Sequence, residues 1–323
     1  MNNQKPQKIH IGPLPPPLGG ISVYLYRLSK IEKDAIFIDE REINTKTKLI
    51  KWIFKTIFDF KKKHFIYHSP SLKLRLAFYF LSLFSRHKYS IVSHGKGLEN
   101  SYQKANFIIK FLIIKMLKKA EYIQVVNQTL TPFLYKLGIT KDKLLIKNAF
   151  LPPPLKEESK ILKTLDNKTI EFCKNHKPLI IANAYKIVFQ GDIDLYGLDM
   201  CIELTAKLKK DFPNIGFIFA LANNTVNKKY YLELQERTRK LGIERNFYFL
   251  TGQKELWPLF KKADLMVRPT YSDGYGISIA EALYFNCPAI ASDVCDRPEK
   301  TLLFRNRDIN DLYEKALGVL DGM

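Results

Sequence analysis

Two carboxylates and two glycines fall together in the stretch Arg268-Pro-Thr-Tyr-Ser-Asp-Gly-Tyr-Gly-Ile-Ser-Ile-Ala-Glu-Ala-Leu283. Asp273, Gly274, Tyr275, Gly276 and Ile277 stand between an apolar strand-like run and a helix-like run, and Glu281 follows inside the helix-like run. Backbone N–H groups at a glycine-rich helix start favour an anion such as a diphosphate. A carboxylate one to two turns into that helix can accept from sugar or ribose hydroxyls. One short segment thus has the chemistry to hold a nucleoside diphosphate and a sugar together.

Three other places carry chemistry. Ile11-Gly-Pro-Leu-Pro-Pro-Pro-Leu-Gly-Gly-Ile-Ser22 runs from a strand through a proline-stiffened loop to Gly19 and Gly20. Glycines there let a backbone approach a phosphate closely, although a tight strand-to-helix turn needs them equally. It is neither a dinucleotide fingerprint nor a P-loop ending in Gly-Lys-Ser/Thr. His94, in Val92-Ser-His-Gly95, ends an apolar strand. That is where a doubly wound domain displays reactive side chains. Such a histidine orients an acceptor hydroxyl or steadies charge, or else simply bonds a backbone carbonyl. Asp192 and Asp194 alternate in a loop after Gly191 but have no third ligand in view, so no metal is expected.

The elements that must position these groups alternate along the chain. Strands are expected at Lys8–Gly12, Ala35–Asp39, Phe65–Ser69, Tyr89–His94, Tyr122–Asn127 and Leu144–Lys147, with helices near Ile21–Ile31, Lys46–Lys63, Leu72–Ser85 and Gln103–Lys119. Leu151-Pro-Pro-Pro154 and the charged stretch to Lys168 break the pattern, which then restarts. Strands follow at Leu179–Asn183, Ile215–Ala222, Asn246–Thr251, Leu265–Pro269 and Pro288–Ser292, again separated by helical stretches. The alternation predicts parallel sheets flanked by helices, in two domains of residues 1–155 and 156–323.

The chain of 323 residues is long enough for two cores. Its longest apolar run, Leu76–Phe84, is too short to span a bilayer. The start, Met-Asn-Asn-Gln-Lys-Pro, lacks an apolar signal region, so export is not expected. Four scattered cysteines suit a reducing cytoplasm. The net charge of +20 is lopsided: residues 1–150 hold 27 Lys/Arg against 9 Asp/Glu, and the remainder 25 against 23. An anionic partner touching only the N-terminal half accounts for that asymmetry, as does a merely solvated basic surface. Lys46–Lys63 sets Trp and Phe among seven lysines, the composition of a helix at a membrane interface.

With Gly19-Gly20, His94-Gly95 and Asp273-x(7)-Glu281 in hand, the chain resembles a family 4 retaining glycosyltransferase of the GT-B fold, of the bacterial surface-polysaccharide type. Lys147-Asn148-Ala149 and Cys287-Pro-Ala-Ile-Ala-Ser292 add to the likeness. The resemblance implies an α/β architecture of two doubly wound, Rossmann-like domains facing each other across a cleft. It implies a nucleoside-diphosphate-sugar donor on the C-terminal domain and a glycan acceptor, lipid-linked, on the N-terminal one. It also implies retention of configuration, no cofactor and no essential metal. Carried over, Asp273 touches the donor sugar, amides from Gly274 to Ile277 (with Tyr275 and Gly276) bind sugar and diphosphate, and Glu281 accepts from the ribose. Gly19 and Gly20 approach the diphosphate, and His94 sits by the reacting centre. The family's usual diphosphate-gripping Arg and Lys are missing from Ala182-Asn-Ala-Tyr-Lys186 and Leu195-Tyr-Gly197, which leaves Lys186 and Arg268 as the nearest cations. Together with the basic N-terminal half, this predicts a cytoplasmic enzyme peripheral on the inner face of the membrane that does not bind nucleic acid. The rival readings are a nucleotide-sugar epimerase of the same fold and a non-catalytic basic module for lipid or nucleic acid.

Overall fold

A computed structural model describes residues 6–43, 45–59, 61–69 and 71–322. The chain forms two compact units, the first ending at Leu151 and the second starting at Pro152, inside the proline run and a few residues ahead of the expected boundary. Proline cannot continue a ladder or a helix interior, so a run of three makes a natural seam.

Unit 1 carries β1 (Gln7–Gly12), β2 (Ile36–Asp39), β3 (Lys63–Tyr67), β4 (Lys88–Ser93), β5 (Ile123–Val125) and β6 (Leu144–Ile146). Its helices are α1 (Gly20–Ile31), α2 (Lys46–Ile57), α3 (Leu72–Leu83), α4 (Gly97–Lys104), α5 (Phe107–Lys119) and α6 (Thr131–Lys136). The strands are all parallel, in the order β2-β1-β3-β4-β5-β6. The single helix expected over Gln103–Lys119 is two. Ala105 is extended, and the Asn106 side chain accepts from the Ile109 amide, capping α5. An asparagine that satisfies an orphan amide restarts a helix more readily than it continues one.

Unit 2 contains α7 (Glu158–Leu162), α8 (Asn167–Asn175), β7 (Leu179–Lys186), a small antiparallel hairpin of β8 (Phe189–Gln190) and β9 (Ile193–Asp194), α9 (Leu198–Leu208), β10 (Gly216–Asn223) and α10 (Lys228–Lys240). Then come β11 (Phe247–Thr251), α11 (Trp257–Phe260), β12 (Leu265–Arg268), α12 (Ile277–Tyr284), β13 (Ala289–Ser292), β14 (Leu302–Phe304) and α13 (Ile309–Asp321). The parallel sheet runs β11-β10-β7-β12-β13-β14. Alternate side chains on its strands enter two separate cores. Ile180, Ala182, Phe217, Phe219, Val267 and Ile290 pack with α9, α10 and α13. Leu179, Ile181, Ile218, Met266, Ala289 and Ala291 pack with Trp257, Ile279 and Ala282 on the other face. A period of two that buries both faces is what a doubly wound sheet requires. At ~1.5–3 kcal/mol per fully buried large aliphatic or aromatic side chain, these two layers dominate the folding of the unit. The expected fold class, α/β with two doubly wound Rossmann-like sheets, is the observed one.

Candidate functional site

Counted from β7, the order of unit 2 reverses direction between β7 and β12. Ligands of doubly wound sheets bind beyond the carboxyl ends of the strands at such a switch point. The loops leaving these two strands are therefore the place to look. They are in contact: Tyr271 N–H donates to the Leu195 carbonyl at 2.8 Å. Gly197, at φ +66°, has no room for a Cβ, which would lie 2.4 Å from the Pro269 carbonyl oxygen.

Pro269 has no N–H to extend β12, and the chain turns there with Arg268 as the last strand residue. The Arg268 Nε donates to Asp273 Oδ2 at 2.5 Å, and its Nη1 lies 3.4 Å from Asn183 Oδ1 on β7 and 3.5 Å from Ser278 Oγ on α12. A second arginine, which the sequence reading missed, meets the same carboxylate. Arg297 Nη1 donates to Asp273 Oδ2 at 2.7 Å, its Nη2 to Thr270 Oγ1 at 3.0 Å and Ser292 Oγ at 3.1 Å, and its Nε to the Ser292 carbonyl at 3.0 Å. The Arg297 side chain is 2 % exposed and that of Asp273 14 %. Asp273 Oδ1 accepts from the Gly274 amide at 2.8 Å. Burial pushes the Asp273 carboxyl up, but the charges and hydrogen bonds of Arg268 and then Arg297 outweigh it and hold the group far below the usual range. Asp273 is thus ionised, and the cluster of two guanidiniums and one carboxylate carries a net positive charge at the turn.

Gly276 caps α12 at φ +87°. A Cβ there would sit 2.6 Å from Ile279 Cδ1 and 3.2 Å from Arg297 Nη1, so glycine supplies both the left-handed turn and the space for the arginine. Tyr275 is buried, Ile277 opens α12, and Glu281 is buried in the second turn of that helix. Lys186, at the end of β7, is exposed and makes no ion pair among the described residues. Unit 2 therefore gathers Arg268, Asp273, Gly274, Tyr275, Gly276, Ile277 and Glu281 around one turn, with Arg297 added and Lys186 at the end of the neighbouring switch strand.

Asp194, the second acid of the alternating pair, holds the turn that leads into α9. Its Oδ1 accepts from Tyr196 N–H and its Oδ2 from Leu198 N–H, both at 3.0 Å. Burial, then the nearby Asp199 charge, raise its carboxyl to about 6. Among the described residues no three His, Cys, Asp or Glu side chains are grouped to hold a metal ion.

In unit 1 the order reverses between β1 and β3. Gly19 and Gly20 lie at the head of α1, where Ser22 Oγ accepts from the Gly19 amide at 2.8 Å. His94 follows β4, and Tyr24 of α1 packs edge-on against it with ring centroids 5.1 Å apart. His94 is not alone. Its Nε2 is 3.2 Å from His68 Nδ1, and His68 Nε2 is 3.0 Å from His10 Nδ1. Burial, then the Arg75 charge, lower His94 to about 4, so the ring is neutral near pH 7. His10 and His68 were missed because single histidines in strand-like runs have no distinguishing pattern. The available signal was that all three fall at or near the carboxyl ends of neighbouring strands.

Residues 174–302 match the model of the family described as glycosyl transferases group 1. The matched segment contains the whole Arg268–Glu281 turn and Arg297 and lies wholly within unit 2. Lipopolysaccharide glucosyltransferase WaaG of Escherichia coli (strain K12) is 26% identical over 137 residues, which is 39% of this chain and 35% of that protein. Anabaena Alr3699/HepE, solved in complex with UDP-glucose, is 14% identical with a TM-score of 0.69 over 98% of this chain and 90% of its own. The crystal structure of WaaG, a glycosyltransferase involved in lipopolysaccharide biosynthesis, gives a TM-score of 0.64 at 13% identity, covering 97% and 90%. At these identities the structural likeness concerns the fold.

Proposed function

We propose that the protein is a glycosyltransferase that moves a sugar from a nucleoside-diphosphate sugar to a glycan acceptor. The observation that carries this reading is the turn after β12. A net-positive Arg268–Asp273–Arg297 cluster and the amide-rich start of α12 stand at a switch point, inside the segment that matches a glycosyltransferase family. In this reading the diphosphate accepts from amides between Gly274 and Ile277, and Glu281 accepts from the ribose hydroxyls. Asp273, fixed by both arginines, offers its remaining acceptor capacity to the donor sugar. The arginines and Lys186 oppose the negative charge that grows on the diphosphate as it leaves. Preorganised donors aimed at developing charge supply much of the rate in such reactions.

Unit 1 takes the acceptor in this reading, with His94 and the head of α1 at Gly19 and Gly20 at the carboxyl end of its sheet. Transfer retains the anomeric configuration, with the acceptor hydroxyl entering on the face the diphosphate leaves, and requires no metal or cofactor. The acceptor is a lipid-linked glycan of bacterial surface-polysaccharide assembly, reached from the cytoplasmic face of the membrane. Exposed apolar side chains on unit 1 support the membrane part. On α5, Phe107, Ile108 and Phe111 are 84 %, 67 % and 50 % exposed on a helix that also carries Lys110 and Lys115. On α2 the expected interfacial face is divided. Phe54 is exposed, while Trp52 packs edge-on against Phe65 and Phe78 in the core.

The test is incubation with a panel of nucleoside-diphosphate sugars and a lipid-linked glycan, in buffer with EDTA. The expected result is an acceptor heavier by one sugar, with the donor's anomeric configuration in the product's proton spectrum. An altered or hydrolysed donor with the acceptor untouched would instead select the epimerase-like alternative.

A further inference from the structure

Three rings step across three adjacent strands of unit 1: His10 on β1, His68 just after β3 and His94 just after β4. Their centroids are 5.2 and 5.5 Å apart, close to the spacing of the strands themselves. The outer end of the chain is Glu32, which closes α1. Its Oε2 lies 3.4 Å from His10 Nε2 and 3.1 Å from Lys8 Nζ, and its side chain is 28 % exposed. The inner end is His94 Nδ1, buried and without a hydrogen-bond partner among the described residues.

The proton positions in this chain are not independent. Each neutral imidazole has one N–H donor and one bare acceptor, and a carboxylate only accepts. With Glu32 ionised, His10 must donate from Nε2, which leaves its Nδ1 bare. His68 must then donate from Nε2 to that Nδ1, and His94 must donate from Nε2 to the bare Nδ1 of His68. Every ring points the same way, and the unmet atom at the inner end is a lone pair. The complement of that lone pair is an O–H donor, such as a sugar hydroxyl or a water.

The surroundings keep the chain neutral. Burial lowers all three histidines, with the neighbouring rings adding to the effect on His68 and Glu32 opposing it at His10. Burial raises Glu32, but Lys8 and His10 outweigh it and keep the carboxyl low. The other charged or titratable groups acting on the chain are His64 on β3, Arg75 on α3 and Tyr24 on α1.

We propose that Glu32, His10 and His68 are positioning residues that order protons across three rings and hold His94 as its Nε2–H tautomer, with Nδ1 presented as an acceptor for a hydroxyl. The consequence for sugar transfer rests on the reading of His94 as a site residue; the ordering itself does not.

The test needs no substrate, so its failure is separate from failure of the transferase reading. The protein has six histidines, few enough for ¹⁵N-histidine NMR of the full chain at pH 7, with His94 identified by the loss of its signals in H94Q. The expected spectrum has a bare Nδ1 and a protonated Nε2 on His94. Glu32→Lys replaces an acceptor with a donor-only group, and the His94 tautomer should invert to Nδ1–H. Glu32→Leu removes the anchor, and the two tautomers should mix. A wild-type His94 that is Nδ1–H or doubly protonated overturns the proposal. So do wild-type His94 shifts in both variants.

Discussion

Asp273 is held by two arginines that lie on opposite sides of it in the chain, five residues before and twenty-four after. The first was legible: Arg268 sits in the same short segment and was already a candidate cation. The second was not, because Arg297 lies in a loop without periodicity and meets Asp273 only when β13 is laid beside β12. Its visible signal was position alone, a few residues beyond the carboxyl end of a strand. Its energetic weight follows from burial. Breaking a buried ion pair by removing one partner typically costs ~3–5 kcal/mol. Since Arg268 remains on Asp273, Arg297→Met should lower stability by roughly 3 kcal/mol, at the low end of that range. Urea unfolding measures it, and a loss below about 1 kcal/mol would mean that the pair stabilises little beyond its desolvation cost.

Most strands were readable as β-branched and aromatic runs, whereas the strand orders that set the two switch points were not, because a single sequence carries no record of which parallel strands are neighbours. Short elements were harder. The β8–β9 hairpin is two residues a side, and β14 is three. Windows that small contain too few side chains to show a period. Of the acid pair in that hairpin region, Asp194 gains its meaning from α9, because it accepts from the amides of Tyr196 and of Leu198, the first residue of that helix. Burial and Asp199 raise the folded carboxyl to about 6 from an ordinary value of 3.8. The folded state therefore binds this proton more tightly than the unfolded chain does. The resulting stability is fully present below the unfolded value and is lost as pH rises through the folded one. Between about pH 4 and pH 6.5, Asp194 should remove about 3 kcal/mol of stability as the pH rises. Asp194→Asn should flatten that slope. Thermal melts of both proteins across the window decide it, and parallel slopes would place the raised carboxyl elsewhere.

At the scale of the whole chain, the charge asymmetry and the most exposed aromatics, Phe107, Phe84 and Phe58, fall on the same unit. The sequence showed the surplus of lysine but not which apolar side chains stay outside, since Trp52 and Phe54 differ only in the helix face they occupy. If unit 1 docks on anionic lipid, removing apolar contacts should release it as effectively as removing charge. Phe107→Ser with Ile108→Ser, and separately glutamine at Lys61, Lys62 and Lys63, should each lower co-sedimentation with phosphatidylglycerol vesicles several-fold. Undiminished binding in both would leave these groups as ordinary solvated surface. The central claim, that the turn between β12 and α12 receives a nucleoside diphosphate, is tested most directly by calorimetric titration of UDP, GDP, ADP and TDP into the wild-type protein and Glu281→Ala. The account predicts saturable binding of at least one of them by the wild type. It predicts a loss of roughly 1.5–3 kcal/mol in the variant, about 10- to 150-fold in Kd, as one hydrogen bond to a charged acceptor disappears. Saturable binding with equal affinity in both proteins, or none in the wild type, would contradict it.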